Sequence, residues 1–296
     1  TSFNNGMTDT TYATISIGTR EQTDPIGPDG YGYYAFDDTD TGYGQAPTYN
    51  WVELDPAFGG NGTEVDLGDY YDYQDKSRSM DLPFPFQYYG EVFTRVTICS
   101  NGWIALGDTY LTDYRNFSIP GVGSPPNLIA TFWDDLSETS SAHVYQRYDA
   151  AGHRWIVQWS RLRNEYNTSY RENVEVILFD PAYHPTTTGD GMILMQYEDV
   201  NNIDPTDHYA TVGIQNAMHT DGLLYTFFNR YPDGAATLAD GRAILFTPSP
   251  IGFSGGPDPV SAGSVFDLSA AAPNPFAGSA QIRFSLQKAG PAELTI

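Results

Sequence analysis

The chain has 296 residues, and its 14 Lys and Arg against 37 Asp and Glu give a formal net charge of −23 at pH 7. This excess of negative charge repels phosphate backbones and anionic lipid headgroups, so nucleic acid is not an expected partner. No apolar run approaches the roughly 18 residues that cross a bilayer, so membrane insertion is not expected. The hydrophobic fraction of 40% and the aromatic fraction of 15% are too high for a disordered chain.

Cysteine and lysine are both scarce. Cys99 is alone, which excludes an intrachain disulfide and a four-thiolate metal site. The lysines are Lys76 and Lys288, whereas Tyr, Asn, Thr and Gly are abundant, which is typical of an extracellular or cell-surface protein. The chain starts at Thr1 with no basic and apolar leader, so we expect a mature or excised product.

Short apolar runs rich in β-branched and aromatic residues follow one another along the chain, separated by Gly, Pro, Asn and Asp. This pattern predicts strands and turns, and no apolar stripe of helical spacing persists over three turns. In chain order, the predicted strands are Tyr12–Ile17, Tyr49–Leu54, Arg95–Ser100, Gly102–Leu106, Leu128–Trp133, His143–Tyr148, Arg154–Ser160, Asn173–Phe179, Met192–Tyr197, Tyr209–Gln215, Leu223–Phe228 and Arg242–Thr247.

The fold class predicted from this pattern is all-β, with a large antiparallel β-sandwich, because many inward-facing side chains need a second sheet to bury them. The sandwich is expected over residues 31–248, after an N-terminal extended arm or strand over residues 1–30. Residues 249–264 are rich in Gly and Pro and predict a linker. Residues 265–296 carry three strand-like pieces and predict a small, incomplete β unit.

Three segments carry a resemblance to a known family. They are Leu82–Gly90 (LPFPFQYYG), Val96–Gly107 (VTICSNGWIALG) and Ile129–Asp135 (IATFWDD). Together they resemble the FPFYG…SNGxLxFG…APFWxD pattern of nidogen-like β-sandwich modules. The stretch from Tyr31 to Phe246 is similar to a region that follows the catalytic domain in secreted bacterial proteins of the gingipain-type cysteine peptidase group. That resemblance implies a secreted protein with a non-catalytic role.

The C-terminal segments carry a second resemblance. Ala272–Phe276 (APNPF), Ile282–Leu286 (IRFSL) and Ala292–Ile296 (AELTI) resemble the first half of the Ig-like C-terminal sorting domain of type IX secretion. Residues 265–296 are therefore expected to form a partial Ig-like unit. The resemblance implies export to the surface or medium of a bacterium.

Catalytic residues are not evident in the sequence. A nucleophilic cysteine needs a neighbouring base, and Cys99 lies in a predicted strand, where a free cysteine is usually a small buried hydrophobe. The histidines do not have zinc-ligand spacing; they are His143, His153, His184, His208 and His219. We therefore expect no enzymatic activity.

Carboxylates are plentiful, and they include the pairs Asp37–Asp38 and Asp134–Asp135. Without a known separation across a cleft, solvated loops are favoured over acid–base chemistry. The segment Asp38-Thr-Asp40-Thr-Gly42 begins like a calcium-binding loop, although its twelfth position is Tyr49 rather than an acid. Calcium held in an irregular loop by Asp38 and Asp40 is the candidate cofactor.

Tyrosines cluster at Tyr31–Tyr34, Tyr70–Tyr73 and Tyr88–Tyr89. Exposed rings of this kind stack on sugars, pack against loops or take part in protein interfaces. A glycan is therefore one candidate partner.

The first functional hypothesis is a non-catalytic structural protein that assembles head to tail into a filament or surface layer. An incomplete β unit has open edges that a strand from a second copy can complete, and a head-to-tail contact propagates as a homopolymer. The donor strand would contribute Tyr12, Ile15 and Ile17. The acceptor groove would be formed by Phe266, Leu268, Ile282, Phe284, Leu286, Leu294 and Ile296.

The alternative hypothesis is a glycan- or protein-binding accessory module of a larger secreted peptidase. It predicts a concave patch of exposed aromatic side chains with convergent polar groups.

Overall fold

The computed structural model describes residues 20–69, 74–201 and 209–248, together with the backbone of residues 267–268 and 284–285. The chain divides into two compact units, one spanning Glu21–Gly256 and one combining Thr1–Arg20 with Pro257–Ile296. Within the described residues the helical content is a single 3₁₀ turn, Pro56–Phe58. The strands are β1 (Tyr34–Asp37), β2 (Thr63–Glu64), β3 (Ser77–Tyr88), β4 (Glu91–Cys99), β5 (Trp103–Leu106), β6 (Leu128–Trp133), β7 (Leu136–Ser137), β8 (Val144–Asp149), β9 (Arg154–Asn164), β10 (Arg171–Phe179), β11 (Ile193–Asp199), β12 (Thr211–Gln215), β13 (Gly222–Phe227), β14 (Arg242–Thr247), β15 (Asp267–Leu268) and β16 (Phe284–Ser285).

The unit Glu21–Gly256 is built from two antiparallel sheets. One has eight strands in the order β1-β14-β11-β10-β9-β8-β2, with β7 paired to β9, and the other has six in the order β13-β12-β6-β5-β4-β3. Side chains from both sheets meet in one hydrophobic core, which confirms the predicted all-β sandwich. None of the described residues forms a helix with the length and apolar character of a bilayer span.

The core between the sheets follows the two-residue period of the strands. In β10, Val174, Val176 and Leu178 face the six-stranded sheet as part of this core. Ile177 belongs to a different cluster on the outer face of the eight-stranded sheet. Every residue from position 172 to 178 is buried, because both faces of β10 are covered. Complete burial of one such aliphatic side chain stabilises the fold by about 1.5–3 kcal/mol.

The outer face of the eight-stranded sheet is covered by residues 49–54, which we call the strap. The prediction of a strand here is wrong, because the strap pairs with side chains of the sheet and not with a neighbouring backbone. Its alternate backbone N–H groups bond to a row of side chains on β11, β10 and β9. These bonds join Asn50 N to Gln196 Oε1 at 2.6 Å, Val52 N to Glu175 Oε1 at 3.3 Å, and Leu54 N to Gln158 Oε1 at 2.7 Å.

The outer face of the six-stranded sheet is covered by the β5–β6 loop, residues 107–127. Ile119 of this loop packs with Cys99, Trp103 and Trp133 in a separate buried cluster. Each sheet therefore has side chains buried on both of its faces. For the eight-stranded sheet, these include the polar side chains of Gln158, Glu175 and Gln196 under the strap.

Ten of the twelve predicted strands coincide with observed strands, and residues 128–133 and 242–247 match at both ends. The predicted strand Tyr12–Ile17 and the predicted linker 249–264 lie outside the described residues. Strand β3 was not predicted because it contains Pro83 and Pro85, which lack the N–H that a central strand needs. The structure accommodates both prolines because β3 is at a sheet edge and loses its register with β4 between Asp81 and Phe86.

Candidate functional site

A cavity of about 600 Å³ opens beyond the C-terminal ends of β6, β9 and β13. We call it the end cleft. It draws residues from four segments that are distant in sequence: the β5–β6 loop, the corner after β6, the loop after β9 and the turn after β13. Its lining consists of Tyr114, Arg115, Asn116, Phe117, Asp134, Asp135, Glu165, Tyr166, Phe227 and Phe228.

The β5–β6 loop is fixed to the sheet beneath it on both sides of the cleft wall. The indole N–H groups of Trp103 and Trp133 both donate to the carbonyl oxygen of Asp113, at 3.0 and 2.8 Å. The side-chain amide of Asn116 donates to the carbonyl oxygen of Tyr209 at 2.7 Å. Because the loop is tied at Asp113 and at Asn116, the backbone that carries Tyr114 and Arg115 is held against the sheet.

The corner after β6 is held by the turn between β4 and β5. Asn101 Oδ1 accepts a hydrogen bond from the N–H of Leu136 at 3.0 Å. Gly102 has a φ of +73°, and a Cβ at this position would overlap the carbonyl oxygen of Phe132. The Ser-Asn-Gly and Phe-Trp-Asp-Asp motifs are therefore locked together, and their role in the structure is to position the acidic corner of the cleft.

Asp135 and Glu165 are adjacent carboxylates of the end cleft with different surroundings. Glu165 accepts a hydrogen bond from Nε of Arg163 at 2.9 Å, which balances its charge. Among the described residues, no donor reaches the carboxylate of Asp135. Burial raises the pKa of Asp135 to about 6, and the charges of Asp75, Glu165 and Asp69 raise it further. A positively charged group of a ligand would therefore stabilise the ionised form of Asp135 most.

The turn after β13 presents two stacked rings to the cleft. The rings of Phe227 and Phe228 are 3.8 Å apart with an interplanar angle of 22°. Phe228 and Asn229 have φ values of +52° and +56°, and the N–H of Arg230 donates to the carbonyl oxygen of Phe227 at 3.1 Å. Two left-handed residues in a row define a type I′ turn. A bulky residue such as Phe is strained there by about 1–2 kcal/mol.

Three further rings line the cleft and remain accessible to solvent. The exposed fractions are 41% for Tyr114, 43% for Phe117 and 51% for Tyr166. The guanidinium carbon of Arg115 lies over the ring of Tyr114, 6.0 Å from its centroid. This wall of the cleft therefore already holds a cation against an aromatic face.

Glu175, under the strap, is a buried carboxylate of another kind. Its Oε1 accepts hydrogen bonds from Val52 N and from Gln196 Nε2, the latter at 2.6 Å. Its Oε2 is buried and has no hydrogen-bond partner in the described part of the chain. Burial raises the pKa of Glu175 to about 8, because the charged form is disfavoured away from water.

The two predicted calcium ligands face different partners. Oδ1 of Asp38 accepts hydrogen bonds from Arg242 Nη1 at 2.7 Å and from Ala243 N at 3.0 Å. Asp40 is buried, and its Oδ2 accepts a hydrogen bond from Asp37 N at 2.9 Å. Burial raises the pKa of Asp40 to about 7. The residues described here contain no group of three His, Cys, Asp or Glu that could hold a metal ion, and the calcium site stays a prediction.

Cys99 is buried under the β5–β6 loop. Burial raises the pKa of its thiol well above the ordinary value, so the nucleophilic thiolate is disfavoured. Two of the histidines considered as zinc ligands have other neighbours. Nδ1 of His143 lies 3.7 Å from Oε1 of Glu138, and the ring centroids of His153 and Tyr183 are 3.5 Å apart. The absence of enzymatic activity stays a prediction.

The residues predicted for strand exchange are mostly outside the described parts of the chain. For Leu268 and Phe284 the backbone is described: these residues are directly opposite one another where β15 pairs with β16 in an antiparallel ladder. The residues outside are Tyr12, Ile15, Ile17, Phe266, Ile282, Leu286, Leu294 and Ile296. Filament assembly therefore stays a prediction.

Of the cleft residues, the sequence analysis singled out Asp134 and Asp135 as a carboxylate pair. It did not identify the aromatic rings, since they come from segments far apart in sequence. One local signal was available: Phe227-Phe-Asn-Arg230 places a bulky ring where a tight turn normally has Gly or Asn. Because an aromatic residue does not favour such a turn, its presence there indicates another role for the side chain.

A family model described as "NIDO related" matches residues 47–248 of the chain. The matched region contains the strap, β2 to β14 and every residue that lines the end cleft. No solved structure matches the chain.

Proposed function

The chain belongs to the NIDO-related family, and we propose that its sandwich is a non-catalytic, secreted binding module that holds a ligand in the end cleft. The observation that carries the proposal is the cleft itself. A cavity of about 600 Å³ is lined by five aromatic rings and four charged side chains. Ligand sites in proteins have this volume range and this combination of apolar walls with a few polar groups.

Strain at the rim supports the proposal. Phe228 occupies a left-handed conformation that Gly or Asn would adopt at lower cost. Strained backbone is enriched at active sites and ligand sites, so a strained aromatic residue at the rim is consistent with a role in binding. At Phe228, that role is to present a ring to the cleft.

The non-catalytic part of the proposal rests on Cys99 and on the resemblances in the sequence. The thiol of Cys99 is buried and its pKa is raised, which disfavours nucleophilic chemistry. The similarity to a region that follows gingipain-type catalytic domains supports an accessory role in a larger secreted peptidase. The sorting-domain resemblance of Ala272–Phe276 supports export by type IX secretion.

The test is binding of the full chain to glycan and peptide arrays, followed by calorimetry on the best ligand. Tyr166→Ala removes a cleft ring, and Tyr183→Ala removes a ring outside the cleft that is 60% exposed. We expect Tyr166→Ala to weaken binding about tenfold or more, because truncating an aromatic anchor of a binding site costs more than about 1 kcal/mol, and Tyr183→Ala to have little effect. Failure to bind any ligand, or equal losses in the two variants, would overturn the proposal.

Strand complementation is a second candidate, favoured by the ladder of β15 and β16. Each of these strands has two residues. A two-stranded ladder is marginally stable by itself, so a further strand would stabilise it. The test is negative-stain electron microscopy of the chain with and without residues 7–19, in calcium and in chelator. Filaments that disappear on deletion support the candidate, and single particles in every condition overturn it.

A further inference from the structure

The charged and aromatic side chains of the end cleft indicate which class of ligand it binds. This inference rests on the proposed function, in which the cleft is the binding site. Three of its four charged side chains are carboxylates: Asp134, Asp135 and Glu165. Arg163 offsets the charge of Glu165, whereas no described cation contacts Asp135. Asp135 therefore places a carboxylate that no described cation contacts beside the aromatic walls of the cleft.

Aromatic faces add to this negative potential. The face of a ring is negative because of its quadrupole, and a cation within about 6 Å of the centroid is attracted to it. Arg115 already lies over Tyr114 in this way, on the rim of the cleft. A second cation placed between the stacked rings of Phe227 and Phe228 and the carboxylate of Asp135 would gain both interactions. A neutral sugar would gain only the ring contact.

The surroundings of the cleft favour a protein over a small amine. The β5–β6 loop exposes apolar side chains beyond the cavity, with exposed fractions of 99% for Tyr110, 42% for Leu111 and 87% for Val122. A small ligand inside the cavity would leave these side chains in water. A partner protein that contacts both the cleft and this loop would bury them, and well-packed interfaces have such contacts beside a central anchor.

We propose that the end cleft receives an arginine side chain from a partner protein, with the guanidinium between the aromatic walls and the carboxylate of Asp135. Arginine is favoured over lysine because its planar guanidinium stacks on rings and offers two parallel N–H groups to one carboxylate. The net charge of −23 on the whole chain would steer a basic partner towards it.

The experiment uses the full chain and three capped pentapeptides with two glycines on each side of a central arginine, lysine or citrulline. Citrulline has the shape of arginine without its charge. Binding is followed by NMR titration at low and at physiological salt. We expect the arginine peptide to bind about tenfold more tightly than citrulline, with lysine between them, and the preference to fall as salt rises.

Matched variants locate the effect. Asp135→Asn removes the cleft charge, and Asp233→Asn makes the same change in net charge at an exposed turn. We expect Asp135→Asn to remove the preference for arginine and Asp233→Asn to preserve it. Phe228→Ala provides a second test through the ring and should weaken binding of arginine more than binding of citrulline, because only the charged guanidinium loses a cation–π contact.

The two proposals fail in different ways. Equal binding of arginine and citrulline would overturn the arginine site while leaving a ligand-binding cleft. Equal effects of Asp135→Asn and Asp233→Asn would also overturn it, because the preference would then reflect the charge of the whole chain. If no peptide binds and the arrays yield no ligand, both proposals are overturned.

Discussion

The strap and the end cleft both bring polar side chains out of bulk water, with opposite results. Under the strap, Gln158, Glu175 and Gln196 each accept a hydrogen bond from the backbone of the same chain, and only Oε2 of Glu175 in this row lacks a described partner. In the cleft, Asp135 faces a cavity and accepts no hydrogen bond from the described residues. Buried polar groups matched from within stabilise a fold, whereas groups left beside a cavity are available to a ligand.

The largest effect should come from breaking the match under the strap. Glu175→Ala removes the acceptor for Val52 N and leaves a cavity in a buried layer, which should lower the free energy of unfolding by about 4 kcal/mol. Tyr166→Ala in the cleft should change it by less than about 0.5 kcal/mol. Urea denaturation of both variants measures the difference. Similar losses would mean that Tyr166 in the cleft contributes as much to the stability of the fold as Glu175 under the strap.

The same carboxylate predicts how stability depends on pH. The pKa of Glu175 is raised from 4.5 to about 8, so the folded chain holds a proton that the unfolded chain releases. Stability is then present in full below the unfolded pKa and is lost as the pH rises through the folded one. Since one proton corresponds to about 1.4 kcal/mol per pH unit, the loss between pH 5 and pH 8 should be about 3 kcal/mol.

Unfolding measured at each pH tests this dependence, with Glu175→Gln as the control that cannot ionise. A smaller slope should remain in that variant, because burial also raises the pKa values of Asp40 and Glu138 to about 7. If the free energy of unfolding falls with pH equally steeply in the wild type and in Glu175→Gln, Glu175 does not titrate in this range.

A smaller effect is expected at the rim of the cleft. Phe228→Gly removes a ring but also relieves a positive φ, so the free energy of unfolding should change by less than about 1 kcal/mol. Phe246→Ala, in the core between the sheets, should cost about 3–5 kcal/mol. Calorimetric unfolding compares the two. A large loss for Phe228→Gly would indicate that this ring stabilises the fold.

The smallest effect is expected for Asp135→Asn. The pKa of Asp135 is raised from 3.8 to about 6, so its ionisation destabilises the folded state progressively between these two values and in full above the higher one. Replacement by neutral Asn should raise the free energy of unfolding at pH 8 by about 0.5 kcal/mol, because partly exposed charges are screened. At about pH 3, where the carboxyl is protonated in both the folded and the unfolded state, the variant should match the wild type. A loss of stability at pH 8 would mean that Asp135 has a stabilising partner.

Strands could be predicted where a short run of β-branched and aromatic residues is bounded by turn residues, as at 128–133 and 242–247. The strap could not, because its pattern is that of a strand although its hydrogen-bond partners are side chains on three distant strands. The end cleft was missed for a related reason: proximity of Tyr114, Tyr166 and Phe228 is a property of the sandwich and not of any segment. Asp135 was found as one of a pair, but its isolation from cations required the fold.

Pro83 and Pro85 lie in β3, at one edge of the six-stranded sheet. An exposed edge strand normally offers its free N–H and C=O groups to any other strand, including one from a neighbouring copy. The two prolines withhold two of those donors, so another copy gains little by pairing there. For a protein proposed to be secreted, this edge therefore disfavours strand pairing between copies.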